Sequence, residues 1–159
     1  MIIIADTSPL CYLIIIDCIN ILPELYGKII IPEVVYQELT NQCSPKKVRE
    51  YLKNKPEWLV IKNHQEKIDL ELDKLDKGEK SAIILAEEVK ADLIILDEKL
   101  ARKVAKNRNL KIIGLLGILY DGCLAGLIEV NKFKELEKTN FFISPKLLEN
   151  IINKVNNSN

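Results

Sequence analysis

Short apolar runs rich in β-branched residues recur along this chain, and each is followed by a segment of helical spacing. That recurrence predicts a three-layer α/β/α domain with a mainly parallel central sheet. The runs are continuous rather than alternating, as in Ile2–Ile4 and Leu93–Leu96, which suits strands covered on both faces. No internal repeat or linker divides the 159 residues, a length that gives one domain burying about 70% of the surface its unfolded form exposes. Residues 1–155 are read as that domain, and the Asn-rich residues 156–159 as a frayed end.

The elements follow in order. Ile2–Ile4 is the first strand and stops before Asp6, and Ser8-Pro9 opens a helix running to about Ile16, with the proline in its first turn. Asn20–Tyr26 is a short helix closed near Gly27. Lys28–Ile31 is the second strand, with Pro32 at the start of a helix over Glu33–Leu39. Ser44-Pro45 is an N-cap with a first-turn proline opening a helix through about Lys53, and Trp58–Ile61 is a strand beyond Pro56. Lys67–Leu75 is expected to be helical. Asp76-Lys77-Gly78 then punctuates the chain before a strong helix, Glu79–Lys90, whose Ala82, Ile83, Leu85, Ala86 and Val89 share one face. Leu93–Leu96 is a strand ending at Asp97. Lys99–Asn107 is an amphipathic helix with Lys99, Arg102, Lys103 and Lys106 outward. A strand over Leu110–Ile113, an apolar helix from Gly114 to about Leu124, and helices over Lys132–Lys138 and Pro145–Val155 complete the chain.

Composition narrows the function. With 48% hydrophobic and 29% charged residues the chain is neither disordered nor low in complexity. Lysine plus arginine and aspartate plus glutamate each total 23, so no global field steers it toward a polyanion. The charge is uneven, however: six basic residues and no acid lie between Lys99 and Lys111. The Ile-rich amino terminus lacks a basic leader and is interrupted by Asp6 and Asp17. It therefore reads as neither a signal peptide nor a membrane span. Cys11, Cys18, Cys43 and Cys123 form no metal or disulfide pattern and read as reduced thiols, which fits a cytoplasmic protein.

In an open α/β sheet ligands bind beyond the carboxyl ends of the strands. Asp6 and Asp97 stand there, each directly after an apolar run, and two equivalent acids would face the same rim. Each is also a favoured N-cap residue, so capping is the competing explanation. Glu38 and Glu79 lie on the helices after the second strand and after Gly78. Sequence spacing alone does not set either of them beside Asp6. His64 reads as a surface residue and Trp58 as core.

Taken together, Ile2-Ile3-Ile4-Ala5-Asp6-Thr7-Ser8-Pro9-Leu10, then Ile31-Pro32-Glu33-Val34-Val35-Tyr36-Gln37-Glu38-Leu39, then Leu75-Asp76-Lys77-Gly78-Glu79-Lys80-Ser81-Ala82-Ile83, then Leu96-Asp97-Glu98 resemble the PIN-domain family. The likeness continues through Ile113–Leu119 and Phe141–Ser144, nearly the whole chain. It points to a subgroup described as predicted nucleic-acid-binding PIN proteins and similar to VapC-type toxin ribonucleases.

The resemblance implies a Mg²⁺- or Mn²⁺-dependent endoribonuclease, with Asp6, Glu38, Glu79 and Asp97 as its acidic quartet. Asp6, Asp97 and Glu79 would hold the metal, and Glu38 and Glu79 would complete the site and orient a water. Thr7 or Ser8 would supply a supporting hydroxyl, Glu98 a further acid, and Arg102 a contact to substrate. Cleavage would leave 5′-phosphate and 3′-hydroxyl ends. RNA is the implied partner, with single-stranded DNA also open, alongside an antitoxin protein and a second copy in a homodimer. The chemistry is consistent with this: hard divalent cations take oxygen ligands, and two carboxylates about 5 Å apart repel by about 3 kcal/mol at an effective dielectric of about 20. Such a cluster calls for a cation, protons or a basic partner. Where the family often has Gly-Thr-Leu-Gly this chain has Gly114-Leu115-Leu116-Gly117, without a hydroxyl at 115. Two other readings are weaker. A catalytically quiet PIN module binding RNA or protein sits poorly with an intact quartet, and a haloacid-dehalogenase-like phosphatase needs a second Asp where Ser8 stands.

Overall fold

A computed structural model describes residues 1–158. Five strands form one all-parallel sheet in the order β3-β2-β1-β4-β5, with β1 at Ile3–Ala5, β2 at Ile29–Pro32, β3 at Leu59–Lys62, β4 at Leu93–Ile95 and β5 at Ile112–Ile113. The chain lays down β1, β2 and β3 toward one edge, then returns to place β4 against the other side of β1. The strand order thus reverses between β1 and β4, where open α/β sheets form a crevice.

Strand periodicity divides the interior into two cores. Ile3, Ala5, Ile29, Ile31 and Ile95 face one side, where they pack with α1 (Thr7–Ile15), α2 (Ile21–Tyr26), α3 (Glu33–Thr40), α4 (Lys46–Leu52), α7 (Leu115–Leu124), α8 (Lys132–Glu137) and α9 (Pro145–Ser158). Ile4, Ile30, Ile94 and Ile112 face the other, against α5 (Lys77–Glu88) and α6 (Lys99–Asn107). Ile3, Ile4 and Ala5 are all fully buried, which is why their run is continuous rather than alternating. Trp58 packs against the first core, as its sequence context indicates. Among the described residues no helix is long and apolar enough to cross a membrane.

Three local expectations are corrected. The stretch Lys67–Leu75 is not a helix apart from one 3-10 turn at Leu72–Lys74. Only Leu72 in it is fully buried, while Ile68 and Leu70 stand in solvent, so a helix here would have no apolar face to bury. Charge holds the segment instead: Arg108 donates to Asp69 Oδ2 at 2.7 Å, to Glu71 Oε1 at 3.0 Å and to Glu87 at 3.2 Å. Arg108 therefore leaves the basic run to which its position in the sequence assigns it. Helix α4 begins after Ser44, with Pro45 at its N-cap position. The strong central helix starts earlier than Glu79, at Lys77, because Asp76 caps it. At the carboxyl end, α9 continues through Asn156–Ser158, and residue 159 lies outside the described residues.

Since Arg108 neutralises three acids from two segments, its loss leaves Asp69, Glu71 and Glu87 facing one another. Arg108→Ala is expected to lower the unfolding free energy by about 1–2 kcal/mol in urea titrations. Limited proteolysis is expected to cut first within residues 64–71.

Candidate active site

The strand ends place the acids. Asp6 directly follows β1, and its backbone N–H donates to Ile95 O at 3.0 Å, prolonging the β1–β4 ladder by one residue. Asp97 lies two residues beyond β4. Glu38 is on α3, after β2, and Glu79 is the third residue of α5. All four line a single cleft of about 650 Å³, together with Asp76 and Glu98. The fold therefore brings together the four acids that sequence spacing leaves apart.

Capping does not account for the two aspartates. Asp6 occupies the N-cap position of α1 without a side-chain capping bond, and the cap of α6 is Glu98, whose Oε2 accepts from the Ala101 N–H at 2.9 Å. Asp97 reaches across the rim instead, its Oδ1 accepting from the Leu115 N–H at 2.9 Å. Position 115 thus serves the site through its backbone, and its side chain is buried in the first core. A threonine hydroxyl is not required for that contact.

The glutamates are held by different partners. Thr7 Oγ1 donates to Glu38 Oε2, so Thr7 is the hydroxyl that engages an acid, while Ser8 lines the cleft nearby. Glu79 and Asp76 form a reciprocal capping box: the Glu79 N–H donates to Asp76 Oδ1 at 2.8 Å and the Asp76 N–H to Glu79 Oε2 at 3.1 Å. Asp76 is the acid that sequence reasoning missed. The signal was there, in the Asp-x-x-Glu spacing of a capping box directly before an apolar helix.

Two glycines allow the crowding. A β-carbon on Gly78 would come within 2.6 Å of Glu38 Oε2 and 3.0 Å of Asp6 Oδ1, so both carboxylates pack against a bare α-carbon. At Gly114 the same atom would lie 2.5 Å from Arg102 Nη1 and 2.7 Å from Asp97 Oδ1. Arg102 is thereby set beside Asp97, with Nη1 donating to Leu96 O at 3.0 Å, at the edge of the acidic cleft rather than inside it.

Burial shapes the charge. Asp6 is pushed up to about 7, first by burial and then by the nearby Asp76, Glu79 and Glu38 carboxylates. Glu79 is likewise raised to about 7, by burial and by repulsion from Asp76 and Glu98. Burial also raises Asp97, opposed by the Leu115 amide and by Arg102. Among the described residues Asp6 Oδ1 and Asp97 Oδ2 are buried without any hydrogen-bond partner. Groups of that kind need explanation, because an unsatisfied buried acceptor costs about 1–3 kcal/mol and more when charged. As the side chains stand, no three His, Cys, Asp or Glu among the described residues close on a single point as a ready cage. The donors that face the cleft are nonetheless oxygens of carboxylates, and His64, the sole histidine, lies away from it against Gln65 O. Such a donor set fits a hard divalent cation rather than zinc.

A family model described as PIN domain matches residues 2–157, so this chain belongs to the PIN-domain family. No curated protein and no solved structure matches it significantly. PIN domains are generally nucleases that use divalent metal ions and bind nucleic acid, and a nuclease-type function follows at that level.

The raised acids make stability depend on pH with a definite sign. Between about pH 4 and 7 the folded protein keeps protons on Asp6 and Glu79 that the unfolded chain has released. That contribution is fully present below the unfolded values and is lost as pH rises through about 7. In EDTA the unfolding free energy is therefore expected to fall across this window. Asp6→Asn should flatten the fall and stabilise the protein at pH 8 by on the order of 1–3 kcal/mol, read from urea titrations at stepped pH.

Proposed function

We propose that this protein is a Mg²⁺- or Mn²⁺-dependent endoribonuclease that hydrolyses RNA phosphodiester bonds at the cleft between β1 and β4. The observation that carries the reading is the pair of buried, unpartnered oxygens, Asp6 Oδ1 and Asp97 Oδ2, contributed from adjacent strand ends to one acidic cleft. Asp6 and Asp97, with Glu79, are the residues that would hold the cation, and Glu38 would complete the site. When bound, the cation would lower the pKa of a coordinated water and neutralise charge on the phosphate.

The chain's own groups do the positioning. The Leu115 N–H fixes one oxygen of Asp97 and leaves the other buried without a partner. Thr7 holds Glu38 and the Asp76 amide holds Glu79, so each glutamate has one tethered oxygen. A carboxylate restrained in this way can orient a water by accepting its hydrogen. The likeness to VapC-type toxins supports extending the proposal to the toxin half of a toxin–antitoxin pair acting as a homodimer. The antitoxin would set a basic side chain into the same acidic cleft.

The test is cleavage of structured and unstructured RNAs by purified protein. Cutting with Mg²⁺ or Mn²⁺, none in EDTA, and at least a hundredfold loss in Asp6→Asn and Asp97→Asn variants that still fold is the expected result. Absence of cutting under every metal condition would instead favour a quiet binding module. Gly78→Ala tests the packing of the site: the added methyl meets carboxylate ends, which can swing aside. Its melting temperature should therefore stay close to that of the native protein while cleavage falls by about tenfold or more.

A further inference from the structure

A second groove, of about 700 Å³, adjoins the acidic cleft, and Asp97 lines both. Its wall is the outer face of α6, where Lys99, Lys103 and Lys106 recur at helical spacing. Among the described residues none of these three lysines takes part in a salt bridge. Phe142 and Leu147, from outside α6, line the same groove. Phe142 is 89% exposed, an unusual position for a phenylalanine.

The exposure is not that of a loose loop. On one side of Phe142, Phe141 packs edge-on against Tyr12 with ring centroids 5.2 Å apart, and the Tyr12 hydroxyl donates to Asn140 Oδ1 at 2.6 Å. On the other side Ile143 is buried in the first core. Both neighbours are anchored, so the exposed Phe142 is held in the groove that the three unpaired lysines also line.

From this we infer that the groove binds single-stranded nucleic acid, with the backbone phosphates along Lys99, Lys103 and Lys106 and one unstacked base on Phe142. An apolar protein partner would have to desolvate the three lysines, whereas a polyanion is complementary to them. A duplex keeps its base faces covered, and only an unpaired base can stack on an aromatic ring. The role of Asp97 in both cavities makes the groove a path by which a strand reaches the acids, and in that respect alone the inference rests on the nuclease reading.

The test is binding of a fluorescent single-stranded RNA and of its duplex to the full chain in EDTA, where no cutting is needed. The single strand is expected to bind more tightly. Phe142→Ala should weaken it by about 5- to 150-fold, the range for one base–aromatic stack, and Phe142→Trp should retain it. Lys103→Ala should reduce the slope of log affinity against log salt by about one. Equal affinity for the duplex, or native affinity in Phe142→Ala, would overturn the assignment. So would a fall in oligomer mass in Phe142→Ala, which would show the face to be covered by a second copy. Metal-dependent cutting that survives Phe142→Ala with unchanged RNA affinity would remove this groove and leave the nuclease reading standing. Tight, Phe142-dependent binding without cutting under any metal condition would do the reverse.

Discussion

The hydrogen bond from the Asp6 amide to the Ile95 carbonyl joins β1 to β4 at the point where the strand order of the sheet reverses. Most of the site follows from it. On either side of that junction the connections leave in opposite directions, and the strand ends are open to a cleft rather than to another strand. The bond also leaves the Asp6 carboxylate no choice of surroundings, since the residue before it is fully buried and the helix after it begins at once.

Burial at this rim works against the charge it holds. Six acids line the cleft, and the two whose burial the fold enforces most, Asp6 and Glu79, hold their protons up to about neutrality. The surroundings relieve this strain unevenly. Asp97 receives an amide and the nearby positive charge of Arg102, Glu38 a hydroxyl and Glu79 a backbone amide, while Asp6 Oδ1 receives nothing. Gly78 and Gly114 let oxygens approach the backbone where any side chain would push them apart. The cluster is thus assembled by omission as much as by attraction.

A net charge of zero conceals this segregation. Acids gather at the carboxyl ends of β1 and β4, lysines spread along the outer face of α6, and Asp97 with Arg102 marks the boundary between them. Arg108 shows how sequence proximity misleads. It falls within the same basic run, yet half a turn of helix geometry and the end of α6 direct it to the acids that hold the 64–71 segment. A count of charges along the chain could not separate the two roles.

The layered α/β class, the parallel sheet and the position of nearly every strand were legible in the sequence. Continuous β-branched runs and helical periodicity are local properties, and both faces of β1 are buried over Ile3-Ile4-Ala5, while Ile2 before it is exposed. Local chemistry failed where a segment had no buried face, as at Lys67–Leu75, and where a cap was read as mere punctuation, as at Asp76. Which acids meet was decided by tertiary structure alone. Asp6 and Asp97 come from two strand ends and Glu38 and Glu79 from two different helices, and their convergence depends on the strand order, which no local spacing encodes. The same holds for Phe142, exposed because Phe141 and Ile143 on either side find partners far along the chain. Sequence by itself determined which segments form strands and helices, because backbone propensity and burial pattern act over a few residues. Tertiary structure decided which side chains share a cleft, because that proximity is set by how the elements pack.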